Sequence, residues 1–308
     1  FKQKTAYEIM PSLVGSEMCI RDRYALGVAT ILIISNVLIS PTDEMVAAKR
    51  SFFGVHKVRV TENQEFNYLI HGSTVHGAQN TNPQRWSDPL MYYHREGPAG
   101  DLFSGANLLS RVGVLGLGTG AMSCYRREGQ DWTFFEIDPV VQYMAVSSGH
   151  FRYLETCAPN AEVVLGDARL SLSSFGKQEF NMLIVDAFAS DSVPVPLITC
   201  EAIDLYLDTL SSSGLIVFHI SNRYMDFEEV LATLGKAKHL TVLAKRGGDS
   251  EEEFKTVSHW VAMAREKQHL EVLKHAGIWE GLLPAAKSRV WTDEYSNIIG
   301  VNNWLKLK

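Results

Sequence analysis

The chain has 308 residues, of which 46% are hydrophobic and 21% charged, with a formal net charge of -6. This is the composition of an ordinary globular protein, long enough for one large or two modest domains, and it excludes a disordered chain. Acidic and basic residues are interspersed without a basic patch or stripe, so no nucleic-acid partner is expected.

Residues 1–23 show no helical or strand period, and K-Q-K-T-A-Y-E and L-V-G-S-E-M-C-I-R-D within them resemble the conceptual translation of a sequencing-library adapter. They are set aside as a non-native scar. Residues 24–42 differ: the run from Tyr24 to Ser40 is uncharged over about seventeen residues, at the lower limit for a membrane span. It is expected to be a truncated transmembrane segment. Lys49 and Arg50 follow it and favour a cytoplasmic downstream domain. Cys19, Cys124, Cys157 and Cys200 show no C-x-x-C or zinc spacing and are expected to be reduced structural thiols.

Residues 43–100 form an N-terminal β region and substrate loop. Positions 51–69 alternate with period two around a polar turn at 61–65, which predicts a small β-hairpin. Positions 71–95, rich in Gly, Asn, Pro and His, predict a long functional loop. Residues 101–308 alternate strands (111–117, 132–137, 162–165, 180–185, 215–220) with helices (119–127, 140–148, 198–210, 227–238), then strands near 240–244 and 259–264. That order predicts a Rossmann-like α/β domain of the S-adenosylmethionine methyltransferase type, with a mostly parallel seven-stranded sheet.

Open α/β sheets bind ligands at the carboxyl ends of their strands, and the chemistry-bearing residues fall there. G-L-G-T-G supplies Gly116, Gly118, Thr119 and Gly120, where the backbone must turn tightly and approach a ligand closely. Glu136 ends the next strand roughly twenty residues on, the position from which an acid accepts ribose hydroxyls. Asp167 and Ala168 follow the third strand, Asp167 facing an adenine amino group. Asp186 ends the fourth strand and Asp191 lies beyond it; two acids before prolines suggest a site that attracts a cation. No P-loop is present, and His71, His76, His94 and His219 lack i,i+4 metal spacing, so no metal is expected.

These residues also carry a family resemblance. V-G-V-L-G-L-G-T-G, F-F-E-I-D, V-V-L-G-D-A-R, L-I-V-D-A-F and G-L-I-V-F-H-I-S-N resemble the spermidine synthase (polyamine aminopropyltransferase) family. R-S-F-F-G-V, H-G-A-Q, Y-Y-H-R-E-G-P and W-T-D-E-Y-S-N extend the resemblance to membrane-fused spermidine synthase-like proteins. The resemblance implies that Glu136 holds ribose and Asp167 adenine, that Gln79, Tyr93 and His94 close over cofactor and substrate, and that Asp186 positions and deprotonates the attacking amine. Tyr93, Trp291 or Tyr295 would add cation–π attraction. The co-substrate would be decarboxylated S-adenosylmethionine and the acceptor a polyamine such as putrescine, in a membrane-associated protein and possible homodimer. Two departures stand out: Thr119 replaces the family's aspartate in G-G-G-D-G, and Asp191 only approximates the second acid of D-x-x-D. A methyltransferase using intact S-adenosylmethionine, and a non-enzymatic nucleoside- or polyamine-sensing domain of a membrane protein, stay open as alternatives.

Overall fold

The computed structural model describes residues 23–30, 43–104, 110–188, 193–222, 224–248, 250–271, 273, 279–286 and 288–302. Two units separate, Phe1–Glu44 and Met45–Lys308. In the first, 23–30 is a helix; residues 1–22 and 31–42, and with them the scar and most of the Tyr24–Ser40 run, lie outside the described residues. No described helix is long and apolar enough to cross a membrane.

The rest opens with four antiparallel strands in the order β1 (Glu44–Arg50), β2 (Val55–Val60), β3 (Phe66–His71), β4 (Thr74–Asn80). β2 and β3 form the expected hairpin around the turn at 61–65, β1 and β4 extend it to four strands, and β4 occupies the first part of the expected loop. T-V-H-G-A-Q-N lacks the β-branched and aromatic alternation that marks a strand. It pairs nonetheless, Asn67 opposite Gln79 and Phe66 opposite Asn80, with a bulge at Leu69/Ile70.

After α1 (Pro98–Ser104) the chain alternates β5 (Arg111–Leu115), β6 (Asp131–Glu136), α2 (Pro139–Val146), α3 (Tyr153–Cys157), β7 (Glu162–Leu165), α4 (Ala168–Ser173), β8 (Phe180–Val185), α5 (Cys200–Thr209), β9 (Leu210–His219), α6 (Glu228–Ala237), β10 (Thr241–Gly247), β11 (Ser258–Ala264) and the two-residue β12 (Glu280–Gly281). The sheet order is β12-β10-β11-β9-β8-β5-β6-β7. β7, β6, β5, β8 and β9 run parallel, and β11, β10 and β12 antiparallel. This is the expected mostly parallel sheet with β12 added as an eighth strand at the edge. The order reverses between β5 and β8, which opens the ligand crevice there.

Both faces of the central strands are buried, as parallel sheets require. On β8, Met182 and Ile184 join one apolar layer while Leu183 and Val185 join the other. Each such side chain contributes roughly 1.5–3 kcal/mol through burial. The helix expected at 119–127 is instead a five-residue 3-10 turn, Ala121–Tyr125, entered through Gly120 at φ 86°. All five of its residues are buried, so it has no polar face to sustain an amphipathic α-helix.

Candidate active site

The glycine loop leaves β5 with three glycines at positive φ: Gly116 (110°), Gly118 (54°) and Gly120 (86°). A β-carbon on Gly116 would stand 2.4 Å from the Asp186 carbonyl oxygen, so the loop and the end of β8 touch only because that residue is glycine. Glu136 ends β6 and is buried. Its Oε2 accepts the Leu117 N–H (3.1 Å) and its Oε1 the Asp138 N–H (2.8 Å). Burial pushes its carboxyl up to about 7, against the pull of these N–H donors.

The antiparallel sheet is fastened to this edge by Asp138, Ser51 and His56, which the motif analysis did not single out, and by Gln79, which it did. Asp138 caps α2 by accepting the Val140 N–H, and its other oxygen takes Ser51 Oγ (2.5 Å) and His56 Nε2 (2.7 Å). Gln79 is buried; it donates to the Trp86 carbonyl (2.8 Å) and accepts the Arg152 N–H (2.6 Å), tying β4 to the entry of α3. Thr119 is 1% exposed beneath β4, and its hydroxyl has no hydrogen-bond partner.

Asp186 forms the centre of the other half. Its Oδ1 lies 2.6 Å from His219 Nδ1, and Tyr93 hydrogen-bonds the same carboxylate. The side chains of His219 and Asp186 are 2% and 6% exposed. Burial and the neighbouring Asp186 hold the Tyr93 phenol well above its ordinary value. Tyr93 and His219 open into a cavity of about 520 Å³, walled also by His76, Ser221, Asn222, Asp226, Glu228, Arg246 and His259. The cavity lies on the carboxyl side of β8 and β9, capped by β4. His76, half-buried near His71 and His56, is pulled down to about 4, chiefly by desolvation.

Other expected site residues stand elsewhere. Asp167 is exposed at the end of β7 and caps α4 through the Leu170 N–H (3.0 Å), with Ala168 beside it. His94 is buried against the Gly248 carbonyl (2.9 Å) and is not among the cavity-lining residues. Trp291 packs in the core near Phe227, and Tyr295 lies under the Arg289 guanidinium, 3.5 Å from its ring centre. Their W-T-D-E-Y-S-N motif acts as a clasp: Asp293 takes both Arg169 N–H groups (2.8 and 2.9 Å) and the Thr199 hydroxyl (2.7 Å). Asp191 lies outside the described residues. The cysteine expectation is corrected: Cys124 and Cys157 form a disulfide across 33 residues, and Cys200 is free. Spacing motifs miss such a pair because the packing of α3 on the 3-10 turn creates the proximity.

No protein-family model matches the chain. A polyamine aminopropyltransferase of Vibrio vulnificus (strain CMCP6) is 31% identical over 171 residues, 51% of this chain and 54% of that protein. The chain thus spans about half the length of the curated relative it matches. A probable spermidine synthase from Corynebacterium glutamicum ATCC 13032 has a similar fold (TM-score 0.61, 14% identity), covering 82% of this chain and 98% of its own. Spermidine synthase from Thermotoga maritima follows at TM-score 0.53 and 12% identity, covering 74% and 75%. The same scores describe a spermidine synthase in complex with the transition-state analogue AdoDATO. In sequence and in fold the chain resembles the spermidine synthase family.

Proposed function

We propose that the chain is a spermidine synthase-like aminopropyltransferase, which moves an aminopropyl group from decarboxylated S-adenosylmethionine to a polyamine such as putrescine and releases methylthioadenosine. The observation that carries this reading is Asp186, whose buried side chain meets Tyr93 and His219, both lining the cavity, and whose backbone touches the glycine loop.

The residues fit a nucleoside sulfonium. Glu136 presents a carboxylate beside the glycine loop, and Thr119 carries a buried hydroxyl without a partner. Asp167 at the end of β7 is the proposed adenine acceptor and Gln79 the brace of the cofactor side. The sulfonium supplies an electrophilic carbon when bound. A free alkylamine, with a pKa near 10.4, is mostly protonated at neutral pH and must lose a proton to attack. Asp186 accepts that proton, and Tyr93 fixes the carboxylate that does so. Holding donor and acceptor in one cavity converts a bimolecular displacement into an effectively intramolecular one. Asp226 and Glu228 add negative charge across the cavity, which suits a cationic amine.

We place Asp191 in the same role as an outer acid for the amine, and assign His94, Trp291 and Tyr295 to shaping the site through the segments they hold. The uncharged Tyr24–Ser40 run supports membrane attachment, and Lys49 and Arg50 after it support a cytoplasmic catalytic domain. Among the described residues β1 is an exposed edge strand, with Phe52 96% exposed beside it, which supports a homodimer. Asp186→Asn tests the site: methylthioadenosine release should fall by about 100-fold or more, while nucleoside affinity changes little. Unchanged turnover would remove Asp186 from the chemistry. The methyltransferase alternative rests on Thr119, and the identity of the released nucleoside separates it.

A further inference from the structure

His219 is not used by the proposed chemistry, yet it is the most enclosed ionisable side chain next to Asp186. Its ring stacks on Trp260 (centroids 4.6 Å apart, 18° between planes) and meets Tyr92 and Phe188 at 5.1 Å each. Nδ1 faces Asp186 Oδ1 at 2.6 Å, and Nε2 faces Ser221 Oγ at 2.6 Å. Ser221 Oγ in turn accepts the backbone N–H of His259 (2.9 Å).

These contacts determine where the protons sit. Opposite a carboxylate, Nδ1 carries the hydrogen. In a neutral ring Nε2 is then an acceptor, and the Ser221 hydroxyl donates to it. The His259 amide holds Ser221 Oγ in place on β11, while Trp260, one residue on, holds the ring flat. A carboxylate offers about four acceptor sites, more than Tyr93 and His219 use, so capacity remains for an ammonium.

We propose that His219, locked by Ser221, is a positioning residue that keeps Asp186 oriented as the proton acceptor for the amine. This rests on the aminopropyltransferase reading. In the step it serves, an ammonium N–H bond breaks and its proton goes to Asp186. The freed pair on nitrogen forms the new N–C bond, while the sulfonium C–S bond breaks with its electrons going to sulfur. The titratable and charged groups around the pair and its cavity are Tyr92 and Tyr93 ahead of α1, His76 on β4, and Tyr224, Asp226, Glu228, Arg246 and His259 across the cavity.

The test uses the full chain and four variants. Asparagine places an amide nitrogen near where Nδ1 stands, whereas glutamine places it near Nε2. His219→Asn should stay within about tenfold of wild-type kcat. His219→Gln and His219→Leu should fall about 100-fold with KM nearly unchanged. Ser221→Ala should lose about tenfold in kcat. Equal losses in all three His219 variants would overturn the proposal. So would hydrolysis of a p-nitrophenyl ester that Ser221→Ala abolishes, since Asp186–His219–Ser221 would then be a nucleophilic triad. A wild type that releases no methylthioadenosine would defeat the aminopropyltransferase reading instead. The lock is then read by NMR: a downfield His219 Nδ1–H resonance is expected, lost in His219→Asn and displaced in Ser221→Ala, and its absence from wild type would overturn the lock.

Discussion

A β-carbon on Gly77 would stand 2.4 Å from Thr119 Oγ1. Strand β4 therefore lies on the glycine loop with no room between them, and the H-G-A-Q motif keeps a glycine for close approach rather than for flexibility. The residue at 119 and the residue at 77 form one contact. A larger acid at 119 would have to displace β4 or point into the site.

Gly77→Ala should cost about 1–3 kcal/mol of stability through overpacking and should weaken nucleoside binding. Thr119→Ala should recover part of both losses in the double variant, because the two residues are coupled. Denaturant midpoints of the four proteins in the cycle measure this; strict additivity would show that the contact does not constrain the loop.

Glu136 binds more protons folded than unfolded between its ordinary value of 4.5 and about 7. Its contribution to stability falls as pH rises through that window, and the cost of its buried charge is complete above pH 7. Glu136→Gln should therefore leave stability at pH 4 little changed and raise it at pH 8 by on the order of 1–2 kcal/mol, while nucleoside affinity drops. Urea unfolding at the two pH values, with calorimetric titration of nucleoside, checks both halves.

His76 behaves oppositely. Its folded value is lowered from 6.5 to about 4, so the unfolded chain binds more protons in between. The stability it contributes is present above pH 6.5 and is lost as pH falls towards 4, by at most about 3 kcal/mol. His76→Gln should flatten the acid side of the stability profile over that interval. A variant with the wild-type slope would assign the loss to other groups.

The Cys124–Cys157 disulfide closes a loop of 33 residues that contains β6, α2 and most of α3. Chain entropy assigns such a bridge about 3–4 kcal/mol. Cys157→Ser should lower the melting temperature, and a reductant should lower that of the wild type while leaving the variant unmoved.

The sheet was legible where burial on both faces shows as local apolar runs. The strands at 162–165 and 180–185 fall where the sequence predicts them, because parallel strands need no partner side chain to be recognised. Glu136 at the end of β6 and Asp186 directly after β8 stand where the sequence places them, because strand boundaries are local. Strand β4 was not, since its small and polar residues serve a contact with Thr119 that only tertiary packing creates. The anchoring of His56 and Ser51 on Asp138, about 80 or more residues apart, and the Arg169–Asp293 clasp leave no local pattern either. His219 was read for metal spacing and not as a partner of Asp186, because their contact is created by the pairing of β8 with β9.

The central claim is tested most directly by incubating the full chain with putrescine and either decarboxylated or intact S-adenosylmethionine, and identifying the nucleoside released. The account predicts methylthioadenosine and spermidine from the decarboxylated form, with release lost in Asp186→Asn. Release of S-adenosylhomocysteine from the intact form, with no methylthioadenosine from the other, would contradict it.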